Sequence, residues 1–152
     1  MTCSETGGRA LAAQTRWRII WFPTTWPAII TSLNIMLQLW AGALVGRART
    51  KYAISAPATT GNPDFERTFR VQMNTLENST VFLPAVWLAA LYGATMLVAV
   101  AVLVWIGARV AYALAYVKDP AKRGPSFGVS LLALAVLVGY AAFGVARSLF
   151  AT

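Results

Sequence analysis

The chain has no histidine and a single cysteine, Cys3, and these two shortages remove most common catalytic kits. A disulfide framework needs paired cysteines, and a zinc site needs clustered Cys and His. Without an imidazole there is no base for a Ser-His-Asp or Cys-His pair. No metal is expected. Chemistry must run on Arg, Tyr, Glu, Asp or Lys, or on a reagent that the protein binds. Acidic residues are scarce too: 5 stand against 13 Lys and Arg, a net charge of +8.

Charge of either sign is thin. Charged residues make up 12% of the chain, where a soluble domain carries about 25%. Hydrophobic residues make up 58%, with a mean hydropathy of +0.60. A chain of 152 residues has too much surface for its volume to hide that apolar content from water. The composition is that of a multi-pass integral membrane protein of one domain. A pI of 10.4 in a polar chain would suggest nucleic acid. Here the cations lie between apolar runs and form no patch or stripe, so nucleic acid is not an expected partner.

Residues 1–26 read as an N-terminal tail and interfacial segment. Arg9, Arg16 and Arg18 lie among its first eighteen residues, without the apolar core or small-residue pattern of a cleaved signal. No charge occurs from Ile19 to Gly46, and Pro23 and Pro27 interrupt the start of that run. A spanning helix is therefore expected over about 27–49, with Trp17, Trp21 and Trp26 in an interfacial belt. The stretch 55–63 has the residues of a loop. Residues 78–108 are uncharged and as one helix would measure about 46 Å, against a hydrocarbon core of about 30 Å. A break at 91–95, using Gly93, divides them between helices at about 64–91 and 94–117, with Pro84 a candidate kink. Residues 118–125 read as a proline-punctuated loop, and 126–148 as the last span. The expectation is all-α: four spans within one domain, 27–152. Arg47, Arg49, Lys51, Lys118, Lys122 and Arg123 then share one face, which the positive-inside rule assigns to the cytoplasm.

The informative residues are those a bilayer rejects. Arg67, Arg70, Asn74 and Glu77 fall within an arc of roughly 80° on the second helix. Gln72 points to another face. Arg109, Tyr112 and Tyr116 form a stripe on the third helix. Charges inside a span must face protein, a water-filled cleft or headgroups. Singly, each has an ordinary structural explanation, as buried polar glue or interfacial belt. Together with Arg49 and Arg123 they leave cations in excess near one face, with Asp64, Glu66 and Glu77 as the acids. Such an excess suits an anionic partner, whether membrane lipid or soluble ligand. A glutamate within it could hold an ammonium, so a small zwitterion with more than one carboxylate fits both.

The segment Phe65-Glu-Arg-Thr-Phe-Arg-Val-Gln-Met-Asn-Thr-Leu-Glu77 resembles the membrane-associated proteins in eicosanoid and glutathione metabolism (MAPEG). Their second helix carries F-E-R-x-(F/Y)-R-x-Q-x-N-x-x-E. Flanking stretches at 45–52, 57–61, 108–116 and 121–123 also resemble the family, over about 28–150. The likeness is strongest to the branch holding the type 2 microsomal glutathione and leukotriene C enzymes.

The resemblance implies a four-helix bundle assembled as a homotrimer, binding glutathione as cosubstrate between subunits near the cytosolic face. Arg70, Asn74, Glu77, Tyr112 and Tyr116 would line one subunit's share, with Arg109 at the head of the tyrosine stripe. Arg49 and Gln72 would come from the neighbour. Arg123 matches the arginine that holds the glutathione sulfur as thiolate, the catalytic position. Family members add that thiolate to lipophilic small molecules or reduce lipid hydroperoxides with it. Two positions depart from the pattern: Asn78 replaces an aromatic residue, and Thr50 follows Arg49 where the leukotriene enzymes have a second arginine. These departures favour a general transferase or peroxidase. A non-catalytic lipid-binding scaffold and a membrane assembly subunit are the alternatives. A bacterial inner membrane is the expected residence, with an endomembrane as the eukaryotic counterpart.

Overall fold

A computed structural model of the chain describes residues 4–92 and 95–150, the side chains of 4–23 excepted. All regular structure among them is helical: α1 (Ser4–Tyr52), α2 (Pro63–Leu91), α3 (Met96–Lys118), a single 3-10 turn (Pro120–Lys122) and α4 (Arg123–Phe150). The first helix starts well before Pro27 and runs on through Pro23 and Pro27. Proline removes a backbone donor, a loss that helices can absorb within a bilayer when neighbouring groups re-satisfy the ladder. The side chains of Arg9, Arg16, Arg18, Trp17 and Trp21, and the turn at Gly93, lie outside the described residues.

Three helices among these residues are long and apolar enough to cross a membrane: Thr24–Tyr52, Met96–Lys118 and Pro120–Phe150. The remaining helix, α2, has 29 residues, enough for about 43 Å. It falls short in apolar content because Asp64, Glu66, Arg67, Arg70 and Glu77 occupy its first half. It also packs against α1, α3 and α4, so the bundle surrounds the helix that a bilayer would accept least.

The helix ends follow local chemistry. Asn62 caps α2, its side chain accepting from the Asp64 and Phe65 amides at 2.9 and 3.3 Å, and Pro63 takes the first helical position. Ala53 adopts φ 55° as the Ile54 amide reaches back to the Arg49 carbonyl at 3.0 Å, the six-to-one bond of a Schellman ending. The loop expected over 118–125 shrinks almost to Asp119. Its carboxylate accepts from the Ala121 amide at 3.0 Å, Pro120 opens the 3-10 turn, and α4 begins at Arg123. Pro125 is accommodated because a first turn needs no donor there.

The core is built on α2, α3 and α4, joined by Ile30 and Leu37 of α1; in it Phe82 and Trp105 stack with centroids 3.7 Å apart and ring planes 6° from parallel. Leu134 and Leu137 of α4 join them. A seam between α1 and α2 is polar. Asn34 and Gln38 both donate to the Ser79 hydroxyl, at 3.0 and 2.7 Å, and that hydroxyl donates to the Thr75 carbonyl at 2.8 Å. At the far end, a Cβ on Gly144 would come within 2.5 Å of the Tyr92 Cβ, so only glycine lets α4 pass the end of α2 this closely.

Candidate functional site

Two basic centres stand on the third and fourth helices, at different depths. Arg109 lies nine residues before the end of α3, about 14 Å inside the charged end of the bundle. Its guanidinium is completely buried and donates from Nη1 to Asn74 Oδ1 on α2 at 2.8 Å. Three rings surround it, Trp105, Tyr112 and Phe127, with centroids 5.6, 5.5 and 5.7 Å from Cζ. Among the described residues its Nε and Nη2 have no hydrogen-bond partner, and no carboxylate pairs with this cation.

Nearer the charged end, Arg123 Nη1 donates to the Tyr116 hydroxyl at 3.0 Å, with Cζ 5.1 Å from the tyrosine ring centroid. Tyr112 bridges the two centres. Its ring lies 5.6 Å from Tyr116 and 5.9 Å from Phe127, and Val71 of α2 packs against this tyrosine pair. The 3-10 turn makes the arrangement local: it reverses the chain within a few residues, returning Arg123 over the stripe it follows.

Along the α2 stripe, Asn74 is half-buried while Arg70 and Glu77 are exposed. No hydrogen bond or ion pair engages the side chain of either charged residue among the described residues. Arg67, in contrast, pairs with Asp64 one turn earlier. Asp64 also accepts from the Tyr52 hydroxyl at 3.1 Å, and Glu66 accepts from the Gly61 amide at 3.0 Å. Two of the three acids near this face are thus used in closing the α1–α2 loop, and Glu77 is left over.

One chain thus brings Asn74, Arg109, Tyr112, Tyr116 and Arg123 into a connected set, with Arg70 and Glu77 on the adjoining surface of α2. Arg49 and Gln72 lie apart from it. Arg49 Nη1 donates to the Ala58 carbonyl at 2.8 Å and the Ile54 carbonyl at 3.4 Å, with Cζ 4.9 Å from the Phe65 ring centroid. Gln72 faces α1, its Nε2 standing 3.6 Å from where a Gly42 Cβ would be. Asn78 donates to the Asn74 backbone carbonyl at 2.9 Å. Sequence reasoning did not single out Trp105 or Phe127. Trp105 was legible, since 105, 109, 112 and 116 share one helical face. Phe127 was not, because its direction depends on the turn at 120–122. Among the described residues no group of three or more His, Cys, Asp or Glu could hold a metal.

The arrangement defines a class: a helical membrane protein with arginines and tyrosines gathered towards one end of its bundle. The chain belongs to the MAPEG family, whose model matches residues 27–143. It is 47% identical to an uncharacterized protein of Synechocystis over 113 residues, 74% of this chain and 82% of that one. Identity to human microsomal glutathione S-transferase 2 is 36% over 121 residues, 80% of this chain and 82% of the human one. Bovine leukotriene C4 synthase is 35% identical over 117 residues, 77% of this chain and 78% of that enzyme.

Proposed function

We propose that the protein is a membrane-bound, glutathione-dependent transferase or peroxidase, working as a four-span homotrimer with its site toward the cytoplasm. The observation that carries this reading is the Arg123–Tyr116 pair, 3.0 Å apart, beside an α2 surface whose Arg70 and Glu77 are exposed. Glutathione presents two carboxylates, one ammonium and one thiol. The chain offers arginines for the first, Glu77 for the second, and a guanidinium with a hydroxyl for the third. Arg49 and Gln72, which stand apart within one chain, would reach the ligand of an adjacent subunit.

The chemistry follows from the charge state of sulfur. A free thiol with pKa of about 8.5 is only about 3% ionised at pH 7. A cation one hydrogen bond away favours the thiolate, and a two-unit fall in pKa is worth about 2.7 kcal/mol. Arg123 suits this task because a guanidinium keeps its charge when partly desolvated. In conjugation the thiolate forms a C–S bond with an electrophilic carbon as that carbon's leaving bond breaks. In peroxide reduction it attacks the terminal oxygen, the O–O bond breaks, and the departing alkoxide takes up the proton that the thiol released, leaving as an alcohol. A second glutathione thiol then attacks the sulfenic acid sulfur, forming the disulfide and releasing water. A lipophilic cosubstrate would enter from the bilayer, where it already concentrates.

The test is an ultraviolet thiolate difference spectrum on detergent-purified protein, adding glutathione to the wild type and to Arg123→Ala. A thiolate band in the wild type and not in the variant is expected. Glutathione binding without a thiolate would favour the scaffold reading, and absence of binding would remove glutathione altogether. Cross-linking with analytical ultracentrifugation reads the subunit number, which should be three.

A further inference from the structure

We infer that Arg109 is a positioning residue that never touches the ligand: it fixes the Asn74 carboxamide so that this side chain presents its donor to the ligand. The inference rests on the glutathione reading for the identity of the ligand, but its geometry does not. Arg109 has no exposed surface in a single chain, and assembly can only bury it further. Three rings and Asn74 surround its guanidinium, so a solute would have to displace one of them to reach it. Its two unpartnered nitrogens, Nε and Nη2, sit within this aromatic enclosure, where ring faces give weak electrostatic compensation.

The consequence falls on Asn74. A carboxamide has one acceptor oxygen and one donor nitrogen, and in isolation either could face a ligand. With Oδ1 held by Arg109 Nη1 at 2.8 Å, the –NH2 group must lie on the opposite side of the amide carbon, away from the guanidinium. Asn74 is half-buried, so that nitrogen can reach a ligand at the bundle surface. The buried cation thereby makes a neutral side chain a one-way donor, suited to a carboxylate or carbonyl oxygen. No direct contact to the bound molecule is required of Arg109.

A double-mutant cycle separates action through Asn74 from direct contact or general support. Glutathione affinity would be measured calorimetrically for wild type, Arg109→Met, Asn74→Ala and the double variant. Each single change should weaken binding about tenfold, and Arg109→Met should cost nothing further in the Asn74→Ala background. Equal penalties in both backgrounds would overturn the inference. Asn74→Asp keeps an acceptor for Arg109 but removes the donor, so it should fold normally and still bind poorly. Normal affinity in that variant would also count against the inference. A ligand-free readout keeps the two readings distinct: the Asn74 side-chain amide should give a dispersed NMR signal in wild type and move to the random-coil position in Arg109→Met. If wild type binds no glutathione, the glutathione reading falls while this signal still decides the positioning role. A random-coil Asn74 amide in wild type would end it.

Discussion

Arg123, the first residue of α4, reaches back across a 3-10 turn to place Nη1 3.0 Å from the hydroxyl of Tyr116. The two groups share a small volume, and a sulfur there would meet a fixed charge and a fixed hydroxyl. The cation decides the pH dependence. Arg123→Ala should let the bound thiol return towards its ordinary pKa, so the thiolate fraction at pH 7 falls about 20- to 30-fold. Because ionisation rises with pH, turnover of the variant should recover towards wild type above about pH 9. A pH–rate profile with a soluble electrophile reads this directly, and a uniform loss at every pH would remove the thiolate role. Arg123 is exposed, so stability should change by less than about 0.5 kcal/mol. Tyr116→Phe keeps the ring and the cation and should cost only about threefold to tenfold.

Much of this arrangement was legible from residue order, and the rest was hidden for identifiable reasons. The α2 and α3 stripes follow from helical periodicity, so Arg109 and Asn74 could be placed on facing helices from their spacing alone. Which partner each would take was not readable. Arg67 could have faced the tyrosine stripe, and it pairs instead with Asp64, one turn earlier on the same helix. Periodicity also gave no sign that Arg109 would be wholly enclosed, since the enclosing Phe127 comes from beyond a turn that reads as an open loop. Prolines misled in two places. Pro23 and Pro27 read as interruptions but lie inside α1, and Pro120 and Pro125 read as loop residues but lie in first turns. Proline marks where donors are dispensable, and helix starts meet that condition as well as loops do.

The end of α1 offers a stabilising change. Ala53 holds φ 55°, a left-handed conformation that costs a residue with a Cβ about 1 kcal/mol or more. Its side chain is exposed, so replacement removes little packing. Ala53→Gly should therefore raise stability by about 0.5–1 kcal/mol, reduced somewhat by the greater freedom of glycine in the unfolded chain. Reversible unfolding in mixed micelles would measure it, and a loss of stability would contradict the Schellman ending.

Gly144 should tolerate nothing larger. A Cβ there would meet the Tyr92 Cβ at 2.5 Å, an atom that rotating the tyrosine side chain cannot move. Gly144→Ala should cost about 1–3 kcal/mol by forcing the end of α2 away from α4. The pattern of rescue is specific. Tyr92→Ala retains the offending atom and should not restore stability, whereas Tyr92→Gly should recover part of the loss. Thermal unfolding of the four proteins decides it, and equal rescue by both would place the strain elsewhere.

The α1–α2 seam depends on one hydroxyl. Ser79 Oγ accepts from Asn34 and Gln38 and donates to the Thr75 carbonyl, so it is used on every side. Asn34 is 2% exposed, so a lost partner there is costly. Ser79→Ala would leave the Asn34 and Gln38 amides without their acceptor, at a cost of about 1–3 kcal/mol. Ser79→Thr retains the oxygen and should cost less unless its added methyl group clashes. Removing demand as well as supply separates hydrogen bonding from packing. In an Asn34→Leu, Gln38→Leu background, Ser79→Ala should become nearly neutral, because no buried donor is then stranded. An undiminished penalty in that background would mean that Ser79 acts by shape, and the seam would be a packing contact that happens to be polar.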